Sequence, residues 1–393
     1  MAPIPVQTPA VAARNALGGF FLSGILMGFL GAMLPAWGYH LHTDYARVGY
    51  FFLSLNGGML LSVPLSQWLL RERSLRFVMT LAPALAAAAF FFLAAVGPPK
   101  GEGWRLAGVF LSGTAAGILN AAVFTLVSPV YQRDRAATLN LSGLLFGLGC
   151  LASAVMVAGT YYVYTTGAIL IFLGMIPAFL AGHYGRTRLT AEPRPAQASV
   201  RQAYADFKSP AAILFALLLF FQFGNEWAIA GWGPLFLAQR LGVGPDTALW
   251  LLALYWLALT VGRALMQAVL PVVRHGRLLL GSVVSAMLGC LILSMTNNKT
   301  GAGVALLMIG GGFAAIYPLV VEKIGDRFPY YHPGLFNGLF SFAVTGGLLS
   351  AASLGFWAEW LGIGVIMALP LVGSIAVFFL LLAIWVEAKW LAR

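Results

Sequence analysis

Two ionisable residues stand inside apolar sequence where water cannot solvate them. Glu226 interrupts FFQFGNEWAIAGWG, near the middle of an apolar run over 210–238, and Arg263 lies within LALTVGRALMQ in the next run, 246–271. A charged side chain at the centre of a bilayer costs about 2.5–3.5 kcal/mol even on lenient insertion scales, so such residues face a partner or a polar pathway. Burial without a partner favours the protonated carboxyl group. A carboxyl poised there can take a proton from one side of a membrane and release it to the other. Gln222 lies one turn before Glu226 on the same helix face, and Asn225 and Trp227 adjoin it. The other amides inside apolar runs are Asn56, Asn120, Asn140 and Asn337. An amide in hydrocarbon costs several kcal/mol unless it is hydrogen-bonded, so each must face protein or water.

Depth sorts these residues into expected roles. Glu226 is expected to carry protons. Asn56, Asn120, Gln222, Asn225, Trp227 and Trp256 are expected to bind a hydroxylated solute, with the two indoles stacking on its ring. Arg263, Asn140 and Asn337 are nearer the cytoplasmic ends of their runs and are expected to gate or cap. Counted from those ends, Glu226 lies about 16 residues in and Arg263 about nine, so no direct pair between them is expected. No catalytic residue and no metal ligand set is expected. His40 and His42 lack a third ligand, and the two cysteines, Cys150 and Cys290, sit in separate runs.

The elements that hold these side chains follow from composition. Of 393 residues, 60% are hydrophobic and 9% charged, against about 25% charged in a soluble domain. A membrane-spanning helix needs about 20 apolar residues, and runs of that kind occur at 17–38, 48–70, 76–97, 104–130, 136–161, 163–184, 210–238, 246–271, 276–297, 301–325, 333–358 and 362–388. The expected fold is therefore all-α and integral to a membrane, with twelve transmembrane helices. The first run reads as an uncleaved span rather than a leader. The formal charge of +11 is a topology signal. With the N-terminus placed inside and the loops alternating, 17 of the 23 Lys and Arg fall on the cytoplasmic side and five outside. This is the positive-inside bias, and it places both termini in the cytoplasm. Nucleic-acid binding is excluded, because no basic surface interleaves with aromatics on a soluble face.

The polar stretch GRTRLTAEPRPAQASVRQAYADFKSP divides six runs from six. The expected organisation is a six-helix bundle over 1–184, a cytoplasmic loop over 185–209 and a second bundle over 210–393. An internal repeat is visible. TLNLSGLLFGLG follows Ser128-Pro129 and a basic loop, as GLFNGLFSFAVTGG follows Tyr317-Pro318 and another. Asn140 and Asn337 then fall at matching places. Gly24 with Gly28, and Gly143 with Gly147, have the GxxxG spacing that lets helix backbones approach.

Two six-span halves, a basic central loop and inside termini resemble the major facilitator superfamily. LALTVGRALM is similar to a Gly-Arg element common in that family. VPLSQWLLRERSLRF stands where the family carries Gly-x-x-x-Asp-Arg, with Pro64 and Gln67 in place of the Gly and the Asp. Within the superfamily, FFQFGNEWAIAGW, AATLNLSGLLFGLG and AAIYPLVVEKIGDRFP resemble the seventh, fifth and tenth helices of the fucose/glucose permease-like sugar:proton symporters. The resemblance implies two pseudo-symmetric bundles flanking one cavity, alternating access and proton-driven sugar uptake. Those permeases carry acids in the first and fourth helices, and this chain has none there. Proton coupling would then rest on Glu226.

The expected function is secondary active transport of a small hydroxylated solute, with a sugar favoured, by proton symport across the cytoplasmic (inner) membrane. The alternative is proton-coupled efflux of lipophilic drugs or lipids. Against it, GLLFGLGCLASA lacks the Gly-Pro element of drug–proton antiporters. The expected partners are the solute, protons and the bilayer. The chain is expected to be a monomer without a cofactor. No phosphate-cradling loop for an ATPase is present, and the ionisable residues do not cluster as an enzyme would require.

Overall fold

The computed structural model describes residues 9–42, 44–98, 100–133, 135–187, 189, 209–269, 272–328 and 333–391. Among these it contains twelve long α-helices: α1 (Pro9–Ala36), α2 (Tyr45–Glu72), α3 (Leu75–Ala95), α4 (Glu102–Arg133), α5 (Arg135–Thr160), α6 (Thr166–Arg186), α7 (Pro210–Leu241), α8 (Pro245–Val269), α9 (His275–Met295), α10 (Lys299–Arg327), α11 (Pro333–Leu361) and α12 (Val365–Leu391). Eleven of them are long and apolar enough to cross a membrane. The other, α11, is 29 residues long and carries side chains outside the described residues. Prolines lie within α1, α2, α3, α6, α7, α10 and α12, as membrane helices tolerate where neighbours satisfy the freed carbonyls.

The chain divides into two compact units. The first comprises residues 1–39 and 50–193, the second 40–49 and 194–393. Each packs by the same plan. In the first unit α1 lies on α5 and α3 lies on both α4 and α6; in the second α7 lies on α11 and α9 lies on both α10 and α12. These pairs correspond one to one under a shift of six helices. The devices correspond too. A Cβ at Gly24 would overlap the Phe146 carbonyl, and one at Gly149 would overlap that of Phe21, so α1 and α5 touch backbone to backbone. The Cys150 thiol donates to the Gly24 carbonyl at 3.2 Å across this contact. In the second unit Gly346 meets the Phe220 carbonyl, and the Ser350 hydroxyl donates to the Gly224 carbonyl at 2.9 Å. Gly58 against Phe110, and Gly310 against the Tyr255 carbonyl, make the equivalent contacts between α2 and α4 and between α8 and α10. Small residues at these seams replace the hydrophobic drive that lipid removes.

Local chemistry fixes where α7 and α8 begin and end. Ser209 caps α7 by accepting from the Ala212 N–H at 3.2 Å, and Pro210 occupies the first turn, where no donor is needed. The helix stops at Gly242, whose φ of +62° is the left-handed cap that glycine adopts without a Cβ penalty. Pro245 opens α8 three residues after Gly242 and directly after Gly244. This short turn couples the registers of the two helices and so sets the depth of Glu226 relative to Arg263.

Candidate functional site

Glu226 and Arg263 are brought together. The Arg263 Nη2 lies 3.9 Å from the Glu226 Oε2, with side chains 8% and 12% exposed. This corrects the expectation that depth would keep them apart. Counting from the cytoplasmic ends misleads because α7 has 32 residues and α8 only 25. Counted from the turn that joins them, Glu226 lies 15 residues before the end of α7 and Arg263 lies 18 after the start of α8. The difference of three residues is about 4.5 Å at 1.5 Å per residue, which an arginine side chain spans.

The second Glu226 oxygen, Oε1, accepts from the Gln222 amide at 2.9 Å, the i, i+4 contact its spacing implies. The carboxylate is thus held by one amide donor and one guanidinium, both inside the second unit. Arg263 shares one face of α8 with Trp256 and Thr260, at i, i+4 and i+7. All three are buried, as is Gln222. The Trp256 and Trp227 rings stand edge to face with centroids 6.4 Å apart, and Tyr255 packs on Trp256 at 5.1 Å. Hydrogen-bonding capacity is left over in this seam. Gln222 Oε1, Trp256 Nε1 and Thr260 Oγ1 are shielded from solvent and have no hydrogen-bond partner among the described residues. A buried polar group left in that state costs about 1–3 kcal/mol.

The other candidate residues are distributed differently. Asn225 points away from this seam. Its amide donates to the Ser374 hydroxyl of α12 at 3.4 Å and abuts Gly373, whose missing Cβ makes the room. Ser374 also lies 3.8 Å from the Cys290 sulfur of α9. This arrangement ties α7, α9 and α12 into one unit. In the first unit Asn120 accepts from the Ser23 hydroxyl at 2.6 Å, which links α1 to α4. Asn56 of α2 and Asn140 of α5 are both buried. Asn337 falls among the positions whose side chains are outside the described residues. Of the expected binding set, Gln222 bonds to Glu226, and Trp227 stands against Trp256.

Two functional-looking residues escape a sequence reading based on amides and acids. Thr260 is one, and its spacing from Trp256 and Arg263 was the available signal. Arg105 is the other. It stands at the end of an apolar run yet is 7% exposed. Its guanidinium carbon lies 5.8, 5.7 and 5.9 Å from the ring centroids of Trp37, Tyr39 and Phe51, within cation–π range. Glu102 is 3.9 Å away and accepts from the Tyr39 hydroxyl at 2.8 Å. Burial, and then this bond to a carboxylate, push the Tyr39 phenol well above its ordinary value.

The family profile of the Major Facilitator Superfamily matches residues 16–353. The chain belongs to the major facilitator superfamily, whose members are membrane transporters, and the helical architecture is that of its fold. It is also similar to an uncharacterized MFS-type transporter of Yersinia pestis, with 22% identity over 345 residues, 86% of this chain and 87% of that protein.

Proposed function

We propose that this transporter moves a small hydroxylated solute, with a sugar the best fit, by proton symport and alternating access. The observation that carries the reading is the seam between α7 and α8. There the Glu226 carboxylate is partnered by Gln222 and Arg263 beside three unused polar atoms and two indoles. Donor, acceptor and aromatic face together suit a ring bearing hydroxyl groups, since each hydroxyl both donates and accepts. A purely apolar drug would leave Gln222 Oε1, Trp256 Nε1 and Thr260 Oγ1 unsatisfied.

Glu226 serves as the proton carrier in this reading. As a carboxylate it neutralises Arg263. Protonated, it releases the guanidinium from that pairing and removes the cost of holding a carboxylate in a dry site. Two states of the helix pair follow from one proton. The solute, bound at Gln222, Trp227 and Trp256, is coupled to the proton because it touches the residues that hold the carboxylate. The test is uptake by purified protein in proteoliposomes under an imposed pH gradient, with monosaccharides and a lipophilic cation run in parallel. Accumulation of a monosaccharide with co-entry of protons is expected. Extrusion of the cation with no sugar uptake would overturn the reading in favour of drug or lipid efflux.

We infer the orientation from the distribution of basic residues: residence in the cytoplasmic membrane, with both termini in the cytoplasm. Both native thiols, Cys150 and Cys290, are buried, so introduced cysteines report cleanly. Lys100→Cys is expected to react with an impermeant maleimide added to intact cells, and Arg186→Cys only after the membrane is opened. Reaction of both from outside would rule this orientation out.

A further inference from the structure

Thr260 is the residue in the α7–α8 seam that no amide or acid pattern selects, and its geometry sets it apart. A threonine inside a membrane helix ordinarily turns its hydroxyl back onto the carbonyl four residues earlier, because nothing else in hydrocarbon will accept it. This protein follows that habit elsewhere. Thr80 donates to the Arg76 carbonyl at 2.9 Å, Thr114 to that of Phe110 at 3.0 Å, Thr125 to that of Ala121 at 2.8 Å and Thr160 to that of Met156 at 2.5 Å. Thr260 does not. It is 5% exposed, and its Oγ1 has no hydrogen-bond partner among the described residues. It makes no bond to its own i−4 carbonyl, that of Trp256.

Two further atoms nearby share this condition, Gln222 Oε1 and Trp256 Nε1. They differ in kind. The amide oxygen only accepts, the indole N–H only donates and the threonine hydroxyl does both. Trp256 and Thr260 are separated by one turn on the same face of α8, about 6 Å of helix rise. A solute hydroxyl that accepts from the indole and donates to the amide leaves a neighbouring hydroxyl to be met by the threonine.

We propose that Thr260 is a specificity-determining residue that recognises one hydroxyl of the transported solute, next to the hydroxyl held by Trp256 and Gln222. The inference rests on the solute-transport reading above and adds its stereochemical filter. The selected class is a solute with two adjacent hydroxyl groups on one ring. A site built to hydrogen-bond a hydroxyl rejects the analogue lacking it, because the buried protein group is then left unpaired. Thr260→Val keeps the shape and removes only the hydrogen-bonding atom, so it separates recognition from packing. Thr260→Ser keeps the hydroxyl and loses only the methyl group.

The experiment is proteoliposome uptake of the best monosaccharide found for the wild type and of its monodeoxy analogues, measured for wild type, Thr260→Val and Thr260→Ser. Wild type is expected to prefer the parent sugar over one particular deoxy analogue by about tenfold or more in KM. Thr260→Val should lose that preference, chiefly by raising KM for the parent sugar, and leave discrimination against the other analogues intact. Thr260→Ser should retain it. A merely structural role would lower thermal stability and slow uptake of every analogue alike without changing their ratio. Unchanged ratios in Thr260→Val overturn this assignment while leaving sugar transport standing. Absence of saturable sugar uptake by the wild type overturns both. If Thr260→Val does not fold, loss in Trp256→Phe of the preference against the analogue lacking the adjacent hydroxyl, whose donor this variant removes, supports the pairing of hydroxyls. Retention of every preference there overturns it.

Discussion

Glu226→Gln is expected to abolish accumulation of solute driven by a pH gradient. One unit of pH is worth 1.36 kcal/mol per proton, so a symporter moving one proton with each solute supports about tenfold accumulation across such a gradient. The amide keeps the shape of the carboxyl group and can still bond to Gln222, but it carries no exchangeable charge and cannot neutralise Arg263. The variant should therefore equilibrate solute across the membrane and stop there, at a ratio of about one. Counterflow exchange, which needs binding but no net proton movement, should persist. The measurement is the steady-state ratio of internal to external solute in vesicles, with wild type and variant prepared side by side. Accumulation by the variant equal to wild type would move coupling to another group or another ion. Loss of exchange together with accumulation would make Glu226 a binding residue first.

What the sequence discloses about this protein divides by length scale. Twelve spans were legible because each must present about 20 apolar residues to lipid. Their observed limits shift by a few residues at most, apart from α1, which begins at Pro9 rather than at residue 17. That extension is polar at one end, so hydropathy alone does not register it. The pseudo-repeat was faint in sequence and clear in packing, because it is carried by which helices touch and by small residues at the seams rather than by conserved strings. Glu226 announced itself by polarity. Its partnership with Arg263 did not, because depth was measured from helix ends that are not level; the turn at Gly242 was the proper origin. The amides were the least legible. Asn120 accepts from Ser23 and the Asn225 amide nitrogen donates to Ser374, as buried amides commonly bond to protein, and nothing in one sequence says whether an amide's partner is a solute or a neighbouring helix.

Arg263→Leu should be the most destabilising single substitution in the α7–α8 seam. Removing one member of a buried ion pair leaves the other as an uncompensated buried charge, at a cost of about 3–5 kcal/mol. Here the survivor would be the Glu226 carboxylate, 12% exposed and left with Gln222 alone. The loss should be larger at high pH, where the carboxylate must be charged, and smaller in acid, where protonation relieves it. Adding Glu226→Gln to Arg263→Leu removes the stranded charge, and replacement of a whole buried pair by uncharged groups is often close to neutral. The double variant should consequently be more stable than Arg263→Leu alone although it carries one more change. Thermal unfolding of wild type, both single variants and the double variant in the same detergent closes the cycle, and residues in contact show coupling of about 0.5–3 kcal/mol. Strictly additive losses would mean that the two charges, though adjacent, do not depend on each other. Arg263 would then be a packing residue on α8, and proton release from Glu226 would have no counter-charge to move.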